Sequence, residues 1–485
     1  MRRPAPVPGR LLARIVQGLT SVRARAARNG LRTLLLSAAL LATLVPACAT
    51  LPDLSYLDQA PSPAAPTVVG AGGSKMPDGR GASLLAQRLH NSRTDLKQLA
   101  ALEEAATGSP LVAGNKVTLL FDGPKTMAAM MDAIRRARDH INLETYIFDQ
   151  DSLGQQFANL LIEKQRAGVQ VNIIYDSVGT FGTPAAFFER MRQAGIQLVE
   201  FNPVNPLKAA AGWRLNNRDH RKILVVDGKI GFTGGVNIAA DYAFSSLFRS
   251  EGERNRILGW RDTHVQLQGP AVANLQLLFL QTWAARSSQP LPNLNWFPPL
   301  PVAGPELVRV IGSQPGGNFE IYKAYYLALA EAKKSVHLTM AYFAPDRGVL
   351  NAILGAARRG VDVHMIFPGV SDAPLVYYAA RSYYQELLDA GVKISEFQDS
   401  VLHAKTAVID GVWSTVGSAN VDIRSFLHNT EVNLVVLGAD FGRAMEAAFQ
   451  EDLRNSKPID RKAWGDRSLF DKLRESSARQ LAYFL

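Results

Sequence analysis

The chain has 485 residues, 47% hydrophobic and 20% charged, the balance of an ordinary globular protein, and its length predicts two or three domains rather than one core. Lys and Arg number 53 against 43 Asp and Glu, a net charge of +10, but residues 1–48 hold eight Arg and no Lys, Asp or Glu. The remainder is close to neutral, which disfavours a globally basic nucleic-acid binder, and a single Cys excludes a disulfide framework or a Cys-rich metal site.

The first element in chain order is an apolar run, Leu34–Val45 (LLLSAALLATLV), behind an Arg-rich flank. It is shorter than the roughly 20 residues of a transmembrane helix and suits the apolar region of a secretory signal. Val45-Pro46-Ala47-Cys48 closes it. The order basic, apolar, small, Cys resembles a bacterial lipoprotein signal, although Pro46 departs from the usual pattern. The resemblance implies a lipid on Cys48, loss of residues 1–47, and an exported, membrane-attached, periplasm-facing protein; an uncleaved signal anchor and a buried structural Cys are the alternatives. The long basic lead predicts a translation start downstream of Met1. Residues 49–83 are rich in Pro, Ala, Gly and Ser and read as a flexible tether with a reach of roughly 30 Å.

Two parts of comparable size follow, 84–288 and 306–485, divided by a Pro-rich linker at 289–305. They repeat each other: INLETYIFDQD from Ile141 matches VHLTMAYFAPD from Val336, RAGVQVNIIYD from Arg166 matches RRGVDVHMIFP from Arg358, and QAGIQLVEF from Gln193 matches DAGVKISEF from Asp389. Each part alternates helices with strands apolar on both faces, and the second ends in a helical tail. The pattern predicts an α/β fold: two pseudo-symmetric units, each with a buried, largely parallel sheet, and a site at their junction.

The chemistry follows the last matched strand of each part. His220-Arg221-Lys222 leads through ILVV to Asp227, with Gly234-Gly235-Val236-Asn237 beyond. His403-Ala404-Lys405 leads through TAVI to Asp410, with Gly417-Ser418-Ala419-Asn420 beyond. In extended chain, positions i and i+2 share a face, so each His projects with its Lys. Asp227 and Asp410 fall on the other parity, past the apolar run, and read as structural anchors. Two copies of so specific a spacing exclude coincidence.

At these residues the chain resembles the phospholipase D superfamily, whose duplicated HxKxxxxD motif it carries intact from roughly Asn115 to Arg454. It is most similar to bacterial cardiolipin synthases, through GNKVTLLFDG, ETYIFDQDSLG, DHRKILVVDGKIGFTGGVN and GWRDTHVQLQGPAV. The resemblance implies two phospholipase D-like α/β/α sandwich domains with the active site at their interface. It departs from the longer cardiolipin synthases in having no N-terminal pair of transmembrane segments.

Phosphatidyl transfer requires a nucleophile, an acid for the departing alkoxide, and positive charge around the phosphoryl oxygens. Two His, two Lys and two Asn supply all three. The superfamily resemblance nominates His220 as nucleophile and His403 as acid and base. Lys222, Lys405, Asn237 and Asn420 would hold the non-bridging oxygens, with Gly235 and Ser418 letting further donors approach, so no metal or other cofactor is called for. Family position and spacing nominate Asp262 as the carboxylate behind His220 and Glu431 as the one behind His403. A loop absent from the second half separates Asp262 further from its His; its Tyr242, Phe244, Leu247 and Phe248 either dip into a lipid interface, cover the site, or pack against the core. The expected activity is phosphatidyltransfer between lipid or glycerol alcohols, as in cardiolipin synthesis, on phosphatidylglycerol or a similar lipid at a membrane surface. A hydrolytic phospholipase D is the alternative, and a phosphodiesterase on nucleic acid a weaker one.

Overall fold

The computed structural model describes residues 50–59, 65–88, 95–205, 207, 213–242 and 259–481. The apolar run, Cys48, Phe244, Leu247 and Phe248 lie outside them. Ahead of the repeats come strand Val68–Val69 (β1), helices Asp78–Arg88 (α1) and Leu96–Thr107 (α2), and the long strand Leu111–Leu120 (β2). The first half continues with Gly123–Arg136 (α3), His140–Thr145 (β3), Ser152–Arg166 (α4), Gln170–Asp176 (β4), Ala185–Gln193 (α5), Gln197–Phe201 (β5), Arg218–Asp219 (β6), Ile223–Val226 (β7), Ile230–Gly234 (β8), Trp260–Arg261 (β9), His264–Gln268 (β10) and Val272–Arg286 (α6). The second half has Glu306–Ser313 (β11), Glu320–Glu331 (α7), Ser335–Met340 (β12), Phe343–Ala344 (β13), Arg347–Arg358 (α8), Asp362–Pro368 (β14), Pro374–Arg381 (α9), Tyr384–Asp389 (α10), Lys393–Phe397 (β15), Val401–Leu402 (β16), Lys405–Ile409 (β17), Trp413–Gly417 (β18), Val421–Asp422 (β19), Ile423–Leu427 (α11), Asn429–Leu437 (β20), Ala439–Arg454 (α12), Ser456–Pro458 (β21), Arg461–Gly465 (α13) and Leu469–Gln480 (α14).

The repeat is exact at the level of strand order. The first sheet runs β5-β4-β3-β7-β8-β10-β2 and the second β15-β14-β12-β17-β18-β20-β11, and β2 also pairs with β11, so one strand belongs to both. Only the first three strands of each run are parallel, which corrects the expected largely parallel sheet. The cause is local. Asp227-Gly228 and Asp410-Gly411 all have positive φ, between 53° and 68°. Asp-Gly at both central positions makes the tight hairpin turn that folds β8 back on β7 and β18 back on β17, and such a turn permits only antiparallel pairing.

Alternate residues of β7 feed separate cores. Leu224 and Val226 pack with Met127, Phe157 and Phe188 of the helices on one face, whereas Ile223 and Val225 pack with Val272 and Leu275 of α6 on the other. The second core also takes Val408, Leu434 and Met445 from the other half, so apolar packing joins the halves as β2 does. Helices α4 and α8 start at equivalent caps: Asp151 accepts from Leu153 and Gly154 N–H, and Asp346 from Gly348 and Val349 N–H.

Where it is described, the 49–83 stretch is not the free tether its composition suggested. Leu54 and Val68 are 1 and 2% exposed in the core of the second half, and β1 pairs parallel with β2. Average composition conceals single apolar residues that find a groove.

Candidate active site

Each motif His follows a two-residue strand that pairs with the opposite half. Strand β6 runs parallel to the start of β20, and His220 N–H donates to Thr430 carbonyl oxygen at 2.9 Å. Strand β16 runs parallel to β9, and His403 N–H donates to Arg261 carbonyl oxygen at 2.8 Å. These pairings place each His one residue from the other half's carboxylate. The expected partners are therefore exchanged: His220 Nδ1 lies 3.0 Å from Glu431 Oε2, and His403 Nδ1 lies 2.7 Å from Asp262 Oδ2. The physical reason is that backbone pairing across the junction, not distance along the chain, sets which carboxylate reaches which ring.

Buried cations brace this crossing. Arg221 Nε donates to Glu431 carbonyl oxygen at 3.0 Å, and Arg261 grips Asp452 through two bonds of 2.7 and 2.8 Å. Arg218, beside the first His, pairs with buried Asp176 at 3.2 Å.

Both imidazoles line one cavity of about 300 Å³, together with Asn237, Asn420, Tyr146, Trp260 and Tyr342. Asn237 Oδ1 accepts from Ile147 N–H at 3.1 Å and Asn420 Oδ1 accepts from Tyr342 N–H at 3.3 Å, equivalent bonds that leave each amide N–H₂ as the end able to meet a phosphoryl oxygen. Lys222 and Lys405 lie behind the rings, fully buried. Each ammonium donates to the carbonyl of its own motif His, Lys222 at 2.6 Å, which occupies one of three N–H groups.

Gly235 and Ser418 serve the carboxylates, where donors to substrate were expected. A Cβ on Gly235 would stand 2.1 Å from Asp262 Oδ1, so glycine there makes room for that carboxylate. At the equivalent position Ser418 Oγ donates to Glu431 Oε2, and Asn429 Nδ2 donates to Oε1 at 3.0 Å. Asp227 and Asp410 stand away from the cavity. Asp227 accepts from the N–H groups of Arg138, Asp139 and His140, and Asp410 from those of Lys333, Lys334 and Ser335. Each thus ties its hairpin to the helix-to-strand junction before β3 or β12.

Burial and crowding set the charges. Loss of water pushes the His220 imidazole down to about 4 against the pull of Glu431, and desolvation with Lys405 holds His403 well below its ordinary range. Burial brings Lys222 down to about 7 and Lys405 to about 8. The carboxylates diverge. Asp262 is raised to about 6 by burial, whereas His220, Lys222 and the Ser418 hydroxyl overcome burial at Glu431 and hold it near 2.

Sequence reasoning missed the ring of aromatics. Tyr146 meets His220 edge-on at 5.2 Å, Trp260 lies 4.9 Å from His403, and Tyr342 lies 6.2 Å from it, its hydroxyl held by Asp372 at 2.8 Å. Tyr242 packs into the site: its hydroxyl bridges Asn237 Nδ2 and His403 Nδ1, at 2.9 and 3.3 Å.

A family model described as "Cardiolipin synthase, PLD-like domain" matches residues 130–250 and 326–453. A cardiolipin synthase of Geobacillus thermodenitrificans is 38% identical over 78% of this chain and 74% of its own length. Cardiolipin synthase 2 of Bacillus anthracis is 36% identical over 76% of this chain and 70% of its own. Among solved structures, the phosphatidylserine synthase of Haemophilus influenzae superposes with a TM-score of 0.58 at 14% identity, covering 79% of this chain and 99% of that one, a likeness of fold.

Proposed function

The chain belongs to the family of cardiolipin synthases with phospholipase D-like domains, and from that premise we propose that it is a phosphatidyltransferase that makes cardiolipin through a phosphohistidine. The observation that carries the reading is the crossed pair of imidazole–carboxylate contacts on one cavity. Glu431, held as an anion, accepts the Nδ1 proton of His220 and leaves Nε2 with a free lone pair. That nitrogen attacks phosphorus, the bond from phosphorus to the headgroup oxygen breaks, and the leaving alkoxide takes a proton from His403. The acceptor alcohol then returns a proton to His403, attacks phosphorus and releases His220. The lipid phosphate brings negative charge between the two rings and the two ammoniums, which restores protons to groups that burial had depleted. Asn237 and Asn420 donate to the non-bridging oxygens, and Lys222 and Lys405 supply the counter-charge from behind.

The donor is phosphatidylglycerol or a lipid of that kind, and the enzyme works at a membrane surface, exported and attached by a lipid on Cys48. Among the described residues no helix is long and apolar enough to cross a membrane. Lipid mass spectrometry on cells lacking their own cardiolipin synthases tests the reading. Cells expressing the chain should accumulate cardiolipin, and those expressing His403→Ala should not. Accumulation of phosphatidic acid in place of cardiolipin would make the enzyme a hydrolase.

A further inference from the structure

The solvent-facing stripe of the last helix carries three large apolar side chains in its first turns, with Ser477 and Gln480 continuing it toward the C-terminus. In α14, Leu469, Phe470 and Leu473 are 78, 72 and 66% exposed, while Glu475 and Ala478 are buried against the protein. At roughly 100° per residue the three outward side chains span an arc of about 100°. Lys472 and Arg479 border the arc on one side. Arg474 borders it on the other, its guanidinium 5.9 Å from the Phe470 ring. Residues 461–480 hold six Lys and Arg against three Asp and Glu, and one of those acids, Glu475, is engaged with Arg381 and Arg467.

Along the cationic border lies a groove of about 530 Å³ lined by Arg467, Lys472 and Arg479 with Ser382, Ser476 and one carboxylate, Glu475, which Arg467 holds at 2.7 Å, so that three cations face a single acid. The helix is also coupled to the site. It packs on α9, where Arg474 stacks on Tyr378 at 3.8 Å, and α9 supplies Val376 to the cavity wall. Across the chain, Phe181 is 79% exposed two residues after Gly179, where a Cβ would stand 2.1 Å from the carbonyl oxygen of Tyr146, a residue of the cavity wall.

We propose that α14 is an interfacial helix that seats the cavity mouth on an anionic lipid surface, its apolar stripe among the acyl chains and a lipid phosphate in the groove of Arg467, Lys472 and Arg479. An apolar arc with cations on both flanks suits such a surface, because long basic side chains reach the phosphate level while the stripe between them sinks below it. The inference rests on the phosphatidyltransferase reading for its purpose, since it explains how a lipid ester reaches two nearly buried imidazoles.

The test uses the full chain with Cys48→Ser and Leu473→Cys, labelled with an environment-sensitive dye, on vesicles of roughly one-third phosphatidylglycerol in phosphatidylcholine. A second label at Lys393→Cys, at the N-terminal end of β15, is the control. Brominated acyl chains should quench the dye at 473 at least about threefold more than at 393, and pure phosphatidylcholine should abolish the difference. Leu469→Glu with Leu473→Glu should lose about tenfold in turnover on vesicles and keep turnover on a monomeric short-chain phosphatidylglycerol. Equal quenching at both positions in vesicle-bound protein overturns the proposal. So does a dye at 473 already shielded without vesicles, which would make a second copy of the chain the occupant, and so does equal loss on the monomeric substrate. Selective quenching by a protein that turns over neither substrate would instead remove the transferase reading and leave the docking face standing.

Discussion

The two half-sites share a backbone plan and differ in how they hold their carboxylates. Around His220, Glu431 receives the imidazole, the Ser418 hydroxyl and the Asn429 amide, and stays ionised down to about pH 2. Around His403, Asp262 receives the imidazole and one backbone N–H, from Thr263 at 2.7 Å, with a glycine where the other half has its serine. Burial, which Lys405 and the Thr263 N–H offset only in part, raises its carboxyl to about 6. A fixed anion suits an imidazole that must present a lone pair and then carry a phosphoryl group. A carboxyl that titrates near neutrality suits one that must take and return a proton. On the proposed mechanism, duplication supplied two equal frames and a few side chains divide the work between them.

Neutralising the carboxylates gives the largest effect. Glu431→Gln should lower kcat by about 10³- to 10⁴-fold, since an amide can hold His220 in the wrong tautomer, whereas Asp262→Asn should cost about 10²-fold. Steady-state kinetics on both variants checks the order, and a reversed order would swap the roles. A smaller effect should follow from giving the second half the first half's residue. Ser418→Gly removes one donor to Glu431 and should cost about tenfold in kcat with little change in KM. A change confined to KM would place Ser418 on the substrate.

The smallest effect is a proton count. Burial lowers Lys222 to about 7 and Lys405 to about 8, so at pH 8 much of their charge is absent from the empty site, and a bound phosphate anion raises both. Binding of an unreactive phosphatidyl analogue at pH 8 should take up about one proton, read by calorimetry in buffers of different ionisation enthalpy. Release of protons would contradict the charge scheme.

The duplicated motif was legible because two copies of one spacing carry the information of both, and parity alone separated Asp227 and Asp410 from the chemistry. The exchange of Glu431 and Asp262 was not legible: spacing within a half is silent on β6 meeting β20 and β16 meeting β9. The sheet was misread as largely parallel although Asp227-Gly228 and Asp410-Gly411, each between apolar runs, are hairpin signals. The tether was misread because the average over 49–83 hid two short apolar groups, Leu51, Leu54 and Leu57 ahead of the Pro-Ala run and Val68-Val69 after it, that reach the core. Tyr146 and Tyr342 escaped notice because they are one position out of register in the repeat, so each stands opposite a non-aromatic residue, Ala341 and Ile147.

The division of labour between the two imidazoles is tested most directly with a phosphatidyl donor whose leaving group is p-nitrophenol, which departs without a proton. His220→Ala should be inactive on this donor as on every other. His403→Ala should be nearly inactive on glycerol-headgroup lipids, yet should release p-nitrophenol in a burst and accumulate an acid-labile phosphoprotein. A burst and a trapped phosphoprotein from His220→Ala instead, or normal transfer to glycerol-headgroup lipids by both variants, would contradict the account.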